Sequence, residues 1–338
     1  MSADPPIRTP AVTAREPDSL VVTVDTGDRI HFLDWGEPGG PHAGEGARSA
    51  GGIPPPAHPI ICLIHGLATT AWSWVPVARR LASRFRVLAP DLRGHGLSDA
   101  PREGYDLESL AFDMLTVLEA CGAGEEVEAA DAPHGARQAV AAGHGFGAVV
   151  AVSMARLRPH TIAALALVDG GWEDTGAAAG RSVDELLREL ADPPEVLSSM
   201  AAYLADRREF DPATWNADQE RAARAAVDEK HAGHVAPVAR SHVLRASLEA
   251  MFSFEPREAL AELSMPILFA MAESGGADDE LAHERVLVLD EMMALRRVSG
   301  QTSDRDVRFP GSGHNVMRYR PAELAEEIVG LAETAANG

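Results

Sequence analysis

The chain has 338 residues, 46% of them hydrophobic and 24% charged, an ordinary globular balance with enough length to bury a sizeable core. Its 51 acidic against 30 basic residues leave a net charge of −21, which argues against docking on a nucleic-acid backbone or an anionic membrane. Cys62 and Cys121 are the only cysteines, too few for a disulfide framework.

Residues 1–19 are polar and rich in proline, which predicts a loose tail. They hold no apolar core of signal-peptide type, and no run of about 18 apolar residues follows anywhere, so the expected location is the cytoplasm. From Leu20 to Gly36 apolar and polar residues alternate about Thr26-Gly27-Asp28, which predicts a β-hairpin. Residues 37–57 carry Gly, Pro and Ala without a hydrophobic period and predict a disordered surface loop. That stretch also lacks the strand-to-helix setting of a nucleotide loop, and no cofactor is expected. The runs "PIICLIHG" (59–66), "FRVLAPD" (85–91), 138–143 and "TIAALALVDGG" (161–171) predict strands buried on both faces. Helical spacing in 71–83 and 107–120 alternates with them, and 122–137 is a polar excursion. From Trp172 to Leu263 the pattern is purely helical and acidic. Strands at 266–273 and within 306–314 and a closing helix at 321–334 then complete the chain. This order predicts a doubly wound α/β sheet in two pieces, 20–171 and 264–336, interrupted by a helical insertion at 172–263.

One stretch raises a question of chemistry. Strand 138–143 runs into Gly143-His144-Gly145-Phe146-Gly147 and then a small-residue helix. This is the shape of a nucleophile elbow, Gly-x-Ser-x-Gly, in which a strained turn presents a serine. Here glycine stands where the serine would be.

Four motifs in order, "LIHGLATTAWSW", "APDLRGHGLSD", "GHGFG" and "GSGHNV", resemble the cap-bearing branch of the α/β-hydrolase fold, with its esterases, epoxide hydrolases and haloalkane dehalogenases. The resemblance covers about residues 20–336 and implies a mostly parallel eight-stranded sheet flanked by helices, with 172–263 as the cap. It implies His314 as the base, with the backbone N–H groups of Leu67 and Phe146 as oxyanion donors. For the acid that orients His314 two positions remain open. Asp169 ends an apolar strand and, as a buried carboxylate, needs a partner; the family's usual acid position falls near Gly275, with Glu273, Asp278 and Asp279 close to it but off register.

At Gly145 no covalent intermediate can form, and loss of the serine from a triad lowers kcat by about a millionfold. Ser98 and Ser312 are nearest by motif, yet neither is on the elbow. Glycine also empties space in which water or a substrate atom fits. His144 is expected to pack beneath the turn, or else to line the pocket, and Asp91, Arg93 and His95 to brace a neighbouring loop. Trp72, Trp74, Met251 and Phe252 are candidate pocket walls, with core packing as the alternative. His231, His234 and His242 lack the companion ligands of a metal site, so no metal is expected. Three functions remain open: a reaction on a small, mostly apolar molecule with His314 as base and no serine step, a catalytically silent binder of a small molecule or partner, or a serine esterase whose nucleophile was replaced. Oligomeric state is not legible in the sequence.

Overall fold

A computed structural model describes residues 15–38, 58–124, 137–175, 180, 182–191, 199–231, 233–273 and 280–337. Its strands are β1 (Asp18–Thr23), β2 (Arg29–Asp34), β3 (Ile60–Ile64), β4 (Val87–Pro90), β5 (Ala139–His144), β6 (Ile162–Val168), β7 (Val227–His231), β8 (His234–Pro237), β9 (Ile267–Glu273) and β10 (Arg305–Pro310). Eight of them form one sheet in the order β1-β2-β4-β3-β5-β6-β9-β10. β2 runs antiparallel to β1 and β4, and every pair from β4 to β10 is parallel. The mostly parallel eight-stranded sheet expected from the sequence is therefore present.

Both faces of the sheet are covered, which is why β3, β4 and β5 are continuous buried runs rather than alternating ones. Successive side chains of a strand point to opposite faces. Accordingly Ile60, Cys62 and Ile64 join the core beneath α2 (Leu107–Ala120) and α3 (Phe146–Leu157). Ile61 and Leu63 join the opposite core, beneath α1 (Val75–Leu81) and the helix Pro321–Asn337. Asp106 caps α2 by accepting a hydrogen bond from the Ser109 N–H, satisfying one of the donors orphaned at a helix start.

Three expectations need correction or limits. The tail ends earlier than residue 19: β1 begins at Asp18, the Arg15 carbonyl accepts the Trp35 indole N–H at 3.1 Å, and Glu16 pairs with Arg79 and Arg221. An edge strand tolerates polar residues on its open positions, so its first residues read as tail. Residues 1–14 and 39–57 lie outside the described residues, whereas Glu37 is described and pairs with Arg137 at 2.6 Å. The insertion is not purely helical either. Helices Val183–Ala191, Met200–Phe210, Ala217–Ala225 and Ser241–Phe252 share it with the antiparallel hairpin β7–β8. Gly233, at φ +89°, makes the hairpin's reversal in a charged stretch that a helical period had absorbed. Helix Pro256–Ala261 places Ala259 and Leu260 in the main core, so core packing resumes before residue 264.

Candidate active site

The elbow is built in one residue. β5 ends at His144, α3 starts at Phe146, and Gly145 between them has φ +53° and ψ −115°. Its neighbours are glycines for want of room. A Cβ on Gly143 would lie 2.2 Å from the Gly147 carbonyl oxygen, and one on Gly147 2.4 Å from that of Ile64. A Cβ on Gly170 would lie 2.8 Å from Gly145 Cα. Gly145 is different: the contacts of a Cβ there are the His314 imidazole atoms Nε2 at 3.3 Å and Cε1 at 3.4 Å. Its backbone favours glycine, but the space it faces would take a side chain.

His314 follows β10 in the loop before Val316. Its Nδ1–H donates to Asp169 Oδ2 at 2.6 Å, leaving Nε2 toward the Gly145 position. Asp169 sits just past β6 at φ +50°, a conformation uncommon outside glycine, and its side chain is 1% exposed. Its Oδ1 accepts from the Ala272 N–H and from Arg285 Nη2, each at 2.9 Å. Burial pushes the Asp169 carboxyl up, but the His314 hydrogen bond and the Arg285 charge outweigh it and hold the group below the usual carboxylate range. Glu273, the other acid candidate, lies at the end of β9 with its carboxylate 3.7 Å from Arg308. That candidate is corrected: the parallel register of β6, β9 and β10 brings the β6 end, not Glu273, to His314 Nδ1.

His144 lies under the base. Its Nε2–H donates to the His314 carbonyl at 3.0 Å, and the two rings are 4.3 Å apart. Burial and the neighbouring His314 push His144 down to about 3, so it is neutral at ordinary pH. A Cβ on Gly66 would lie 2.6 Å from His144 Nδ1, so the loop after β3 presses directly on the elbow. That loop carries Leu67, whose N–H, like that of Phe146 at the start of α3, has no partner among the described residues.

Buried side chains hold this loop in shape. Asp91 accepts from the Ala71 N–H at 2.7 Å, the Leu97 N–H at 3.0 Å and His31 Nδ1 at 2.7 Å. His65 Nε2 accepts from the Leu92 N–H while its Nδ1–H donates to the Gly66 carbonyl. His95 Nε2 accepts from the Ala68 N–H, and burial pushes this imidazole down to about 3. Arg93 makes a two-pronged pair with Asp113, 2.8 Å on each prong. Ser98 donates to the Asp91 carbonyl and Ser312 to the Gly313 carbonyl, so both hydroxyls serve their own loops.

The candidate walls divide. Trp74 is fully buried in the core beneath α1, so its assignment to a substrate wall is corrected to core packing. Trp72 is half-buried, and the Arg221 guanidinium covers its ring at 3.7 Å. Met251 packs on the main core, and Phe252 is half-buried at the end of its helix. No group of three or more His, Cys, Asp or Glu among the described residues is arranged to hold a metal. Reasoning from the sequence missed Arg285 and Glu173. Arg285 bonds Asp169 from 116 positions away, a separation at which no local pattern signals a contact.

The model of the alpha/beta hydrolase family matches residues 61–327. A 2-(acetamidomethylene)succinate hydrolase of Mesorhizobium japonicum is 25% identical over 277 residues, 81% of this chain and 88% of that one. The crystal structure of E-2-(acetamidomethylene)succinate hydrolase superposes with a TM-score of 0.69 at 20% identity, covering 94% of this chain and 99% of that one. An uncharacterized protein of Mycobacterium tuberculosis is 36% identical over 116 residues, and the match spans 33% of this chain but only 29% of that relative's length. The matched span takes in the elbow, Asp169 and His314 together, and the chain belongs to the alpha/beta hydrolase family.

Proposed function

We propose that this protein is an enzyme acting on a small, mostly apolar molecule, with His314 as general base and no covalent serine step. The observation that carries this reading is the 2.6 Å bond from His314 Nδ1 to Asp169, with Nε2 facing the space above Gly145. Asp169 orients the imidazole and stabilises the imidazolium that forms. A water in the place of the missing hydroxyl gives its proton to Nε2 and attacks the substrate carbonyl carbon. The oxygen that gains the negative charge lies against the N–H groups of Leu67 and Phe146. As the tetrahedral species collapses, His314 returns the proton to the leaving group. A lyase-type variant uses the same base on a substrate C–H or O–H. General-base catalysis contributes about 10²–10⁴-fold, and donors with binding retain about 10³–10⁴-fold over water without a nucleophile.

The test is hydrolysis of a panel of small esters and amides by the wild type and His314→Ala, with a fluorophosphonate probe alongside. Turnover that falls at least about 100-fold in His314→Ala, without labelling of the wild type, supports the reading. Turnover unaffected by His314→Ala, or labelling at Ser98 or Ser312, refutes it. Saturable ligand binding with no turnover would favour the silent-binder reading instead.

A further inference from the structure

Asp169 has a second cationic partner that a simple His–Asp pair lacks. Its two oxygens are divided: Oδ2 takes His314 Nδ1–H, while Oδ1 takes Arg285 Nη2 and the Ala272 N–H. Arg285 comes from helix Glu280–Val298 and is itself clamped. Its Nε donates to Glu173, and its guanidinium lies 5.8 Å from the Trp172 ring. Glu173 stands four positions after Asp169, so one loop wraps two carboxylates around a single guanidinium.

We propose that Arg285 is a positioning residue that acts on His314 through Asp169, with Glu173 as its counterweight. The inference rests on the reading of His314 as a base. An imidazolium is stabilised by the negative charge it faces. Arg285 draws part of the Asp169 charge toward Oδ1 and adds a positive charge behind it, so the carboxylate lends the His314 imidazolium less stabilisation than a bare Asp would. Glu173 offsets this by sharing the guanidinium. Burial pushes the Glu173 carboxyl up against the opposing pull of Arg285. Among the described residues Asp169 bonds the His314 ring, His144 from β5 lies 4.3 Å from it and is neutral at ordinary pH, and Arg285 and Glu173 stand behind Asp169. The arrangement also holds the carboxylate in place. Arg285 fixes Oδ1 so that Oδ2 stays on the imidazole.

The experiment is an NMR pH titration of the His314 ring in full-length protein labelled at histidine Cε1, with the resonance assigned by its loss in His314→Ala. Arg285→Met should raise the titration midpoint by about one unit. Arg285→Lys, which keeps the charge, should hold it near the wild type. Glu173→Gln, which frees Arg285 for Asp169 alone, should lower it. Thermal melts report which variants fold, and if Arg285→Met does not, Glu173→Gln decides alone. A midpoint unmoved in Glu173→Gln overturns the proposal, as does an equal rise in Arg285→Lys and Arg285→Met. The titration reads the ring whether or not any substrate is turned over, so its result is independent of the hydrolysis panel.

Discussion

Gly145→Ser asks whether the site lacks one part or several. The new Cβ falls 3.3 Å from His314 Nε2, which puts the hydroxyl one bond further on, within hydrogen-bond reach of that nitrogen. A contact this tight requires the ring to yield by a few tenths of an ångström, which a side chain 60% exposed can do. The backbone is the main obstacle: φ of +53° in a non-glycine residue costs about 1–3 kcal/mol. That lowers the melting temperature by several degrees but leaves a fold of typical 5–15 kcal/mol stability intact. Against it stands a tethered nucleophile that His314 can deprotonate, placed beside oxyanion donors that are worth about 3 kcal/mol each in either route. Hydrolysis of p-nitrophenyl acetate and butyrate should therefore rise at least about 100-fold over wild type, and the rise should vanish in Gly145→Ser with His314→Ala. A fluorophosphonate should label residue 145 in the single variant. A folded Gly145→Ser protein with no gain, or a gain that survives loss of His314, would refute the idea that the remaining parts stand in working register.

Acid should destabilise the fold through its buried imidazoles. His95 and His144 are held at about 3, below the ordinary 6.5, so under pH 6.5 the unfolded chain binds protons that the folded chain refuses. Their contribution is complete above pH 6.5 and is lost toward pH 3 at about 1.4 kcal/mol per pH unit each; a urea midpoint that stays flat between pH 7 and 5 would contradict this. Asp113→Asn removes the two-pronged partner of the buried Arg93 guanidinium, leaving Asp28 at 3.4 Å as its remaining counter-charge, and should lower stability by about 1–3 kcal/mol in denaturant titrations. Gly147→Ala forces a Cβ to within 2.4 Å of the Ile64 carbonyl oxygen, a backbone atom that cannot turn aside, and should yield little folded protein by gel filtration and circular dichroism.

Local information determined a large part of this protein. Strands buried on both faces must be apolar throughout, so "IICLI" and its partners are visible as strands without knowledge of their neighbours. The elbow is visible because its glycines stand at fixed spacing: residue 143 is forced to be glycine by the turn's own backbone, and residue 147 by the carbonyls of Ile64 and His65 beside it. His314 was legible through the resemblance of its "GSGHNV" loop to the family's histidine loop, and the absence of a nucleophile from one letter.

Tertiary structure decided the rest, because the deciding contacts join segments far apart in the chain. Asp169 and Glu273 both stay open as acids on paper, with Asp169 favoured; the register of β6 against β9 and β10 settles which one reaches His314. Trp72 and Trp74 differ by two positions, yet a short helical turn sends one to the surface beneath Arg221 and the other into the core. The hairpin β7–β8 is held by cross-strand pairing, which leaves a weaker trace in a charged sequence than a helical period does. Arg285 sits on a helix whose own sequence says nothing of a carboxylate, and only the packing of that helix on the main core through Leu289 and Met292 delivers its charge to Asp169.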